Sequence, residues 1–97
     1  MSGKAFIQAK IYWAPLSYVQ ITSVSAAVGL SPPSDATIAE ITVEAQAIRY
    51  RDDGTNPTAA VGMPVAAGNS FQYAGDLSTI KFIEQTAGAI LNISYYK

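Results

Sequence analysis

The chain has 97 residues, no cysteine and no histidine, and its 7 acidic and 6 basic residues leave a net charge of −1. That length holds one hydrophobic core, the missing Cys and His exclude disulfides, thiolate nucleophiles, Cys-ligated zinc and the commonest general base, and no basic run is present to follow a phosphate backbone. The charged share of 13% is about half the roughly 25% usual in soluble domains, and mean hydropathy is +0.18, so copies of the chain or a partner are expected to cover part of the surface.

Met1-Ser2-Gly3-Lys4 lacks the regions of a secretory leader, and no apolar run reaches membrane-span length. The expectation is a chain made in the cytoplasm that stays soluble until it assembles, with neither membrane nor nucleic acid as a partner. Period-2 alternation recurs from end to end, while helical spacing never lasts beyond a turn or two, so strands are predicted throughout. Residues 5–13 set Ala5, Ile7, Ala9, Ile11 and Trp13 on one face against Gln8, Lys10 and Tyr12, and Pro15 is expected to end the run. Residues 17–24 are rich in Val, Ile and Thr; Ser23 to Leu30 is small and Ala-rich, compatible with a strand or one helical turn. Ser31-Pro32-Pro33-Ser34-Asp35 is the strongest breaker, a loop between halves of one domain.

From Thr37 the alternation places Ala39, Ile41, Val43 and Ala45 opposite Glu40, Thr42 and Glu44. Beyond Gln46 the apolar parity changes to Ile48 and Tyr50, with Arg49 and Arg51 on the other side. A strand cannot change its buried face without an irregularity, so a bulge or sheet-switching bend is predicted near Gln46-Ala47. Asp52-Asp53-Gly54-Thr55-Asn56-Pro57 is a dense turn signal. Short strands follow near Val61–Val65, Ser70–Tyr73, Leu77–Gln85 and Ala89–Tyr96, separated by Gly68, Gly75 and Gly88. The pattern predicts one all-β domain over residues 1–97, an antiparallel, jelly-roll-like β-sandwich.

Chemistry-bearing groups are few. The Asp52-Asp53-Gly54-Thr55 cluster lacks the alternating ligands and downstream Glu of a calcium loop, which favours turn chemistry over metal binding. Arg49 and Arg51 leave one strand face about 7 Å apart. With Asp52, Asp53, Glu40 or Glu44 they suit a surface ion-pair ladder, and equally they suit anchoring of an interface. Most aromatic residues fall on apolar faces and read as core, whereas Tyr12 and Tyr96 are out of phase and read as surface. No serine has a His or Lys beside it, and Asn92-Ile93-Ser94 reads as the polar side of the last strand. No cofactor is called for.

Arg49-Tyr50-Arg51-Asp52-Asp53-Gly54-Thr55-Asn56-Pro57-Thr58, then Gly62, Gly68, Gly75-Asp76-Leu77, Lys81-Phe82-Ile83 and Leu91-Asn92-Ile93-Ser94-Tyr95-Tyr96, form an ordered series that Ala39 to Gln46 extends backward. Across the span of these residues, a little over half the chain, the sequence resembles a family of small proteins encoded among the structural genes of tailed bacteriophages and prophages. The resemblance carries no catalytic motif. It implies a virion component, such as a capsid decoration or cement protein or a small head-to-tail or tail component.

The resulting expectation is a non-enzymatic structural protein that associates with itself as a dimer or trimer and packs on larger capsid or tail proteins. Its interface candidates are Arg49, Arg51, Asp52, Asp53, Tyr12 and Tyr96. The alternative is a carbohydrate- or receptor-binding module that displays Tyr12, Trp13 or Tyr96 on an exposed platform. A cupin-like enzyme fits the glycine spacing and fails for want of histidine ligands.

Overall fold

A computed structural model of the chain describes residues 13–97. The strand predicted over residues 5–13 lies outside the described residues except for Trp13, as does Tyr12. The described residues form β1 (Pro15–Ile21), β2 (Val28–Gly29), β3 (Ile38–Glu44), β4 (Ile48–Arg51), β5 (Met63–Val65), β6 (Ser70–Tyr73), β7 (Lys81–Glu84) and β8 (Ile90–Tyr96). Two four-stranded antiparallel sheets result: sheet A in the order β1-β8-β3-β6 and sheet B in the order β2-β7-β4-β5.

That order follows from one long hairpin rolled over on itself. β1 pairs β8, β2 pairs β7, β3 pairs β6 and β4 pairs β5. Tyr18 lies opposite Ser94, Ala39 opposite Tyr73 and Ile48 opposite Val65, so all four pairings are symmetrical about Asn56 to within one residue. Rolling the hairpin then sets β8 against β3 and β7 against β4, which completes the jelly-roll arrangement of an all-β sandwich.

The bend predicted between Val43 and Ile48 is the corner at which the chain leaves sheet A for sheet B. Ala39, Ile41 and Val43 of β3 are fully buried, and so is Ile48 of β4, although their parities differ. Ala45 does not share the buried face as its parity predicts. It is exposed with φ 75°, a left-handed turn that an L-residue adopts at a cost, and Gln46 N–H closes the turn on the Glu44 carbonyl.

One further expectation is corrected, and two segments take a definite form. Pro15 opens β1, where its missing N–H costs little at a strand end, and a register shift between Pro15 and Ser17 accommodates it; the run it is expected to end lies, but for Trp13, outside the described residues. The segment Leu77–Gln85 is a strand only from Lys81, because Asp76 folds the preceding residues into a turn. Its carboxylate accepts from the Ser78 amide and hydroxyl, and its carbonyl accepts from the Thr79 amide and hydroxyl. Of the open segment from Ser23 to Leu30, only Val28–Gly29 is a strand.

The core lies between the inner faces. Ala39, Ile41, Val43, Leu91, Ile93 and Tyr95 come from sheet A, Ile48 and Phe82 from sheet B, and Val24, Leu77, Ile80 and Ala89 from the connections. At one end Tyr50 stacks on Phe71 at 5.0 Å and leans on Phe82 at 6.4 Å. Because β3 and β4 bury opposite parities, Ile41→Ala and Ile48→Ala are each expected to cost about 2–5 kcal/mol in urea denaturation, whereas Glu40→Ala changes stability by less than about 0.5 kcal/mol. A chain that tolerated alanine at one of the two isoleucines would be inconsistent with the crossing.

Candidate interaction surfaces

Arg49 and Arg51 leave the outer face of sheet B, beside Ile83 and Lys81 on β7, while Tyr50 between them turns inward. They do not form a ladder with Glu40 and Glu44, which belong to sheet A. Each arginine instead holds part of the turn at the tip of the hairpin. Arg49 donates from Nε to the Ala59 carbonyl at 3.1 Å and from Nη1 to the Gly62 carbonyl at 2.8 Å. Arg51 donates from two nitrogens to the Asp53 carboxylate, whose Oδ1 also accepts from the Thr55 amide. Asp53 thereby offsets the repulsion between Arg51 and Lys81, which face each other directly across β4 and β7.

The return limb of the tip is tightly folded. Thr58 Oγ1 accepts from the amides of Ala60 and Val61, and Pro57 is buried. Gly62 has φ 146°, and a Cβ there would come within 3.1 Å of both the Arg49 Cβ and the Tyr50 carbonyl, so only glycine lets the limb lie this close to β4. One consequence is exposed apolar surface: Val61 is 55% exposed and Met63 58%. With Arg51, Asp52, Asp53 and Gly62 they line a depression of about 380 Å³. Met63 also borders an open groove of about 600 Å³ between β5 and β6, floored by Tyr50 and Phe71. Asp52 turns toward this end of the sandwich, where burial and then the Asp52 carboxylate push the Tyr73 hydroxyl above its ordinary range.

A second polar array covers the outer face of sheet A. Tyr18 Oη and Gln20 Nε2 both donate to Asn92 Oδ1, and Asn92 Nδ2 donates to Glu44 Oε1 at 2.8 Å. Asn92 and Ser94 thus occupy the polar side of β8, as their phase predicts. Tyr18, which reads as core in the sequence, is 60% exposed. The missed signal is its pairing: Tyr18 is opposite Ser94 and on the side of Gln20, so its apolar neighbours in sequence are on the other face. Tyr96 is half-buried against Trp13, with ring centroids 5.3 Å apart, so much of the platform expected there is used within the chain.

Among the described residues no three His, Cys, Asp or Glu side chains gather where they could hold a metal ion. Compared with known proteins, the chain matches no family model, no curated protein and no solved structure.

The two arginines should respond differently to truncation. Arg49→Ala leaves two loop carbonyls without a charged donor and is expected to cost about 1–3 kcal/mol, with faster proteolysis between residues 52 and 62. Arg51→Ala should leave the melting temperature nearly unchanged, since an exposed pair contributes little. Acid gives a further check. Hydrogen bonds from Arg51 and then the Thr55 amide hold the Asp53 carboxyl below its ordinary 3.8. Stability from a depressed carboxylate is present above the unfolded pKa and is lost as pH falls through the folded one. This group's small share of the stability should therefore hold from neutral pH to about 4 and be lost below that, so Asp53→Asn should change the acid fall in melting temperature only slightly.

Proposed function

We propose that this chain is a non-enzymatic structural protein of a tailed-bacteriophage virion, made in the host cytoplasm, that associates with itself and packs on larger capsid or tail proteins through the tip of its hairpin. The observation that carries this reading is the composition of the tip. Val61 and Met63 form an exposed apolar centre, and Arg51, Asp52 and Asp53 form a charged rim around it. Buried apolar contacts inside a polar rim are the ordinary anatomy of a protein interface. Support also comes from the likeness to phage structural proteins, because Arg49 to Thr58, its densest part, builds this same tip. The jelly-roll architecture is compatible with capsid service and, as an analogy of fold, adds only modest weight.

Particles assembled without the protein and then mixed with purified chain test the reading. Wild type should co-sediment with them, Val61→Asp and Met63→Asp should bind at least about tenfold more weakly, and the melting temperatures of both variants should stay near wild type because these side chains are exposed. Weakening of wild-type binding as salt rises, and a smaller salt dependence in Arg51→Ala, would place the rim charges in the contact. Unchanged binding by both aspartate variants would refute the tip as the docking surface.

The carbohydrate- or receptor-binding alternative is favoured by one observation: exposed Tyr18 stands beside the hydrogen-bonding side chains of Gln20, Asn92 and Glu44. An aromatic ring next to such groups suits a sugar. Titration with bacterial surface glycans, followed by Trp13 fluorescence and by the tyrosine signals in NMR, separates the readings. Saturable shifts abolished by Tyr18→Ala would support the alternative.

A further inference from the structure

Sheet edges expose unpaired backbone groups, and proteins usually blunt them with short strands, proline or charge. Among the described residues three of the four edges are blunted: β2 has 2 residues, β5 has 3 with Pro64 in the middle, and β6 has 4. β1 differs. It has 7 residues and no charge, and proline and the register shift affect only its first two positions, leaving Ser17–Ile21 in regular pairing with β8. Its other side is unpaired among the described residues.

The surroundings of that edge are equally neutral. No Asp, Glu, Lys or Arg occurs between Lys10 and Asp35, so β1, β2 and the loop joining them form a flank without charge in a chain of 13 charged residues. Val19 lies on the inward side of β1, yet it is 41% exposed, because β2 on the facing sheet is too short to cover it. An uncharged flank with an uncovered valine has the composition of an interface centre.

We propose that two copies of the chain pair edge to edge through Ser17–Ile21, antiparallel about a two-fold axis at Val19, joining their sheets A into one eight-stranded sheet. This rests on the self-association within the proposed function and names its surface. A second copy is the occupant because the edge is self-compatible. Val19 meets Val19 on the inner side, Tyr18 faces Gln20 of the other copy on the outer side, Ser17 faces Ile21, and no like charges oppose. Five paired residues span about 17 Å, and with a sandwich thickness of about 20 Å the contact covers on the order of 350 Å² per copy. That is under half of the roughly 800 Å² of a stable interface, so the dimer is weak alone and fills where copies are concentrated.

Because the chain has no cysteine, Val19→Cys places one thiol at the two-fold axis. Under mild oxidation the full-length variant should form a disulfide-linked dimer at least about tenfold faster than Gln72→Cys, its control on the β6 edge, since directly opposed residues lie within reach of a disulfide. In sedimentation equilibrium wild type should show a concentration-dependent dimer that Val19→Lys removes, with the melting temperature retained. Equal cross-linking rates at positions 19 and 72 would overturn the pairing. So would a Cys at position 19 shielded from a thiol reagent in the monomer, because the chain's own residues would then cover the edge. Particle binding by the same samples separates this inference from the wider reading. A wild-type dimer untouched by Val19→Lys overturns the pairing alone, whereas a chain that neither dimerises nor binds particles overturns both.

Discussion

The structure depends on one constraint, the shared register of a single hairpin about Asn56. Once the tip is closed, each residue before it has a partner almost equally far behind it, and the four pairings from β4–β5 out to β1–β8 follow in turn. A slip of one residue at the tip would turn one limb over relative to the other, setting Ile41 opposite Ser70 or Gln72 in place of Phe71, so that one of the paired strands would present its polar side to the core. The hydrogen bonds from Arg49 to Ala59 and Gly62 lie where such a slip would start. The same tip carries the surface proposed for lattice contact, where Arg51, Asp52 and Asp53 form the charged rim beside Arg49.

Strand positions and the crossing from β3 to β4 were legible because alternation reports burial directly. Ala39, Ile41 and Val43 share one parity and Ile48 and Tyr50 the other, and a strand with one buried face admits no second explanation. What alternation cannot report is which strand lies beside which. Tyr18 is exposed because its pairing puts it on the outer face, and Val19 because the facing edge strand β2 is short, properties of the partner strands and not of the residues' own neighbours in sequence. The role of Arg49 was hidden for a related reason. Its partners are backbone carbonyls 10 and 13 residues away, and carbonyls have no signature in side-chain pattern. Arg51 was easier, because its acceptor Asp53 lies two residues on in the same turn.

The low charge share takes a definite form in the fold. β1, β3, β6 and β8 contain no Lys or Arg, and sheet A instead covers its outer face with amide, hydroxyl and carboxylate groups hydrogen-bonded across strands. Sheet B carries Arg49, Arg51 and Lys81 on its outer face. The two sides of the sandwich are therefore chemically distinct, and surfaces that touch either one meet different partners in the same small volume.

β8 lies between β1 and β3 and hydrogen-bonds to both, yet it is the last in sequence of the eight strands among the described residues. During synthesis, sheet A cannot close until β8 has left the ribosome, and for that interval β1 and β3 wait with unsatisfied edges. Sheet B is less exposed to the delay, since β4 and β5 are joined locally through the tip. A nascent chain of this protein is thus most open to mispairing just before β8 is complete, and a pause within the β8 codons would lengthen the period in which its neutral β1 strand meets strands of other chains.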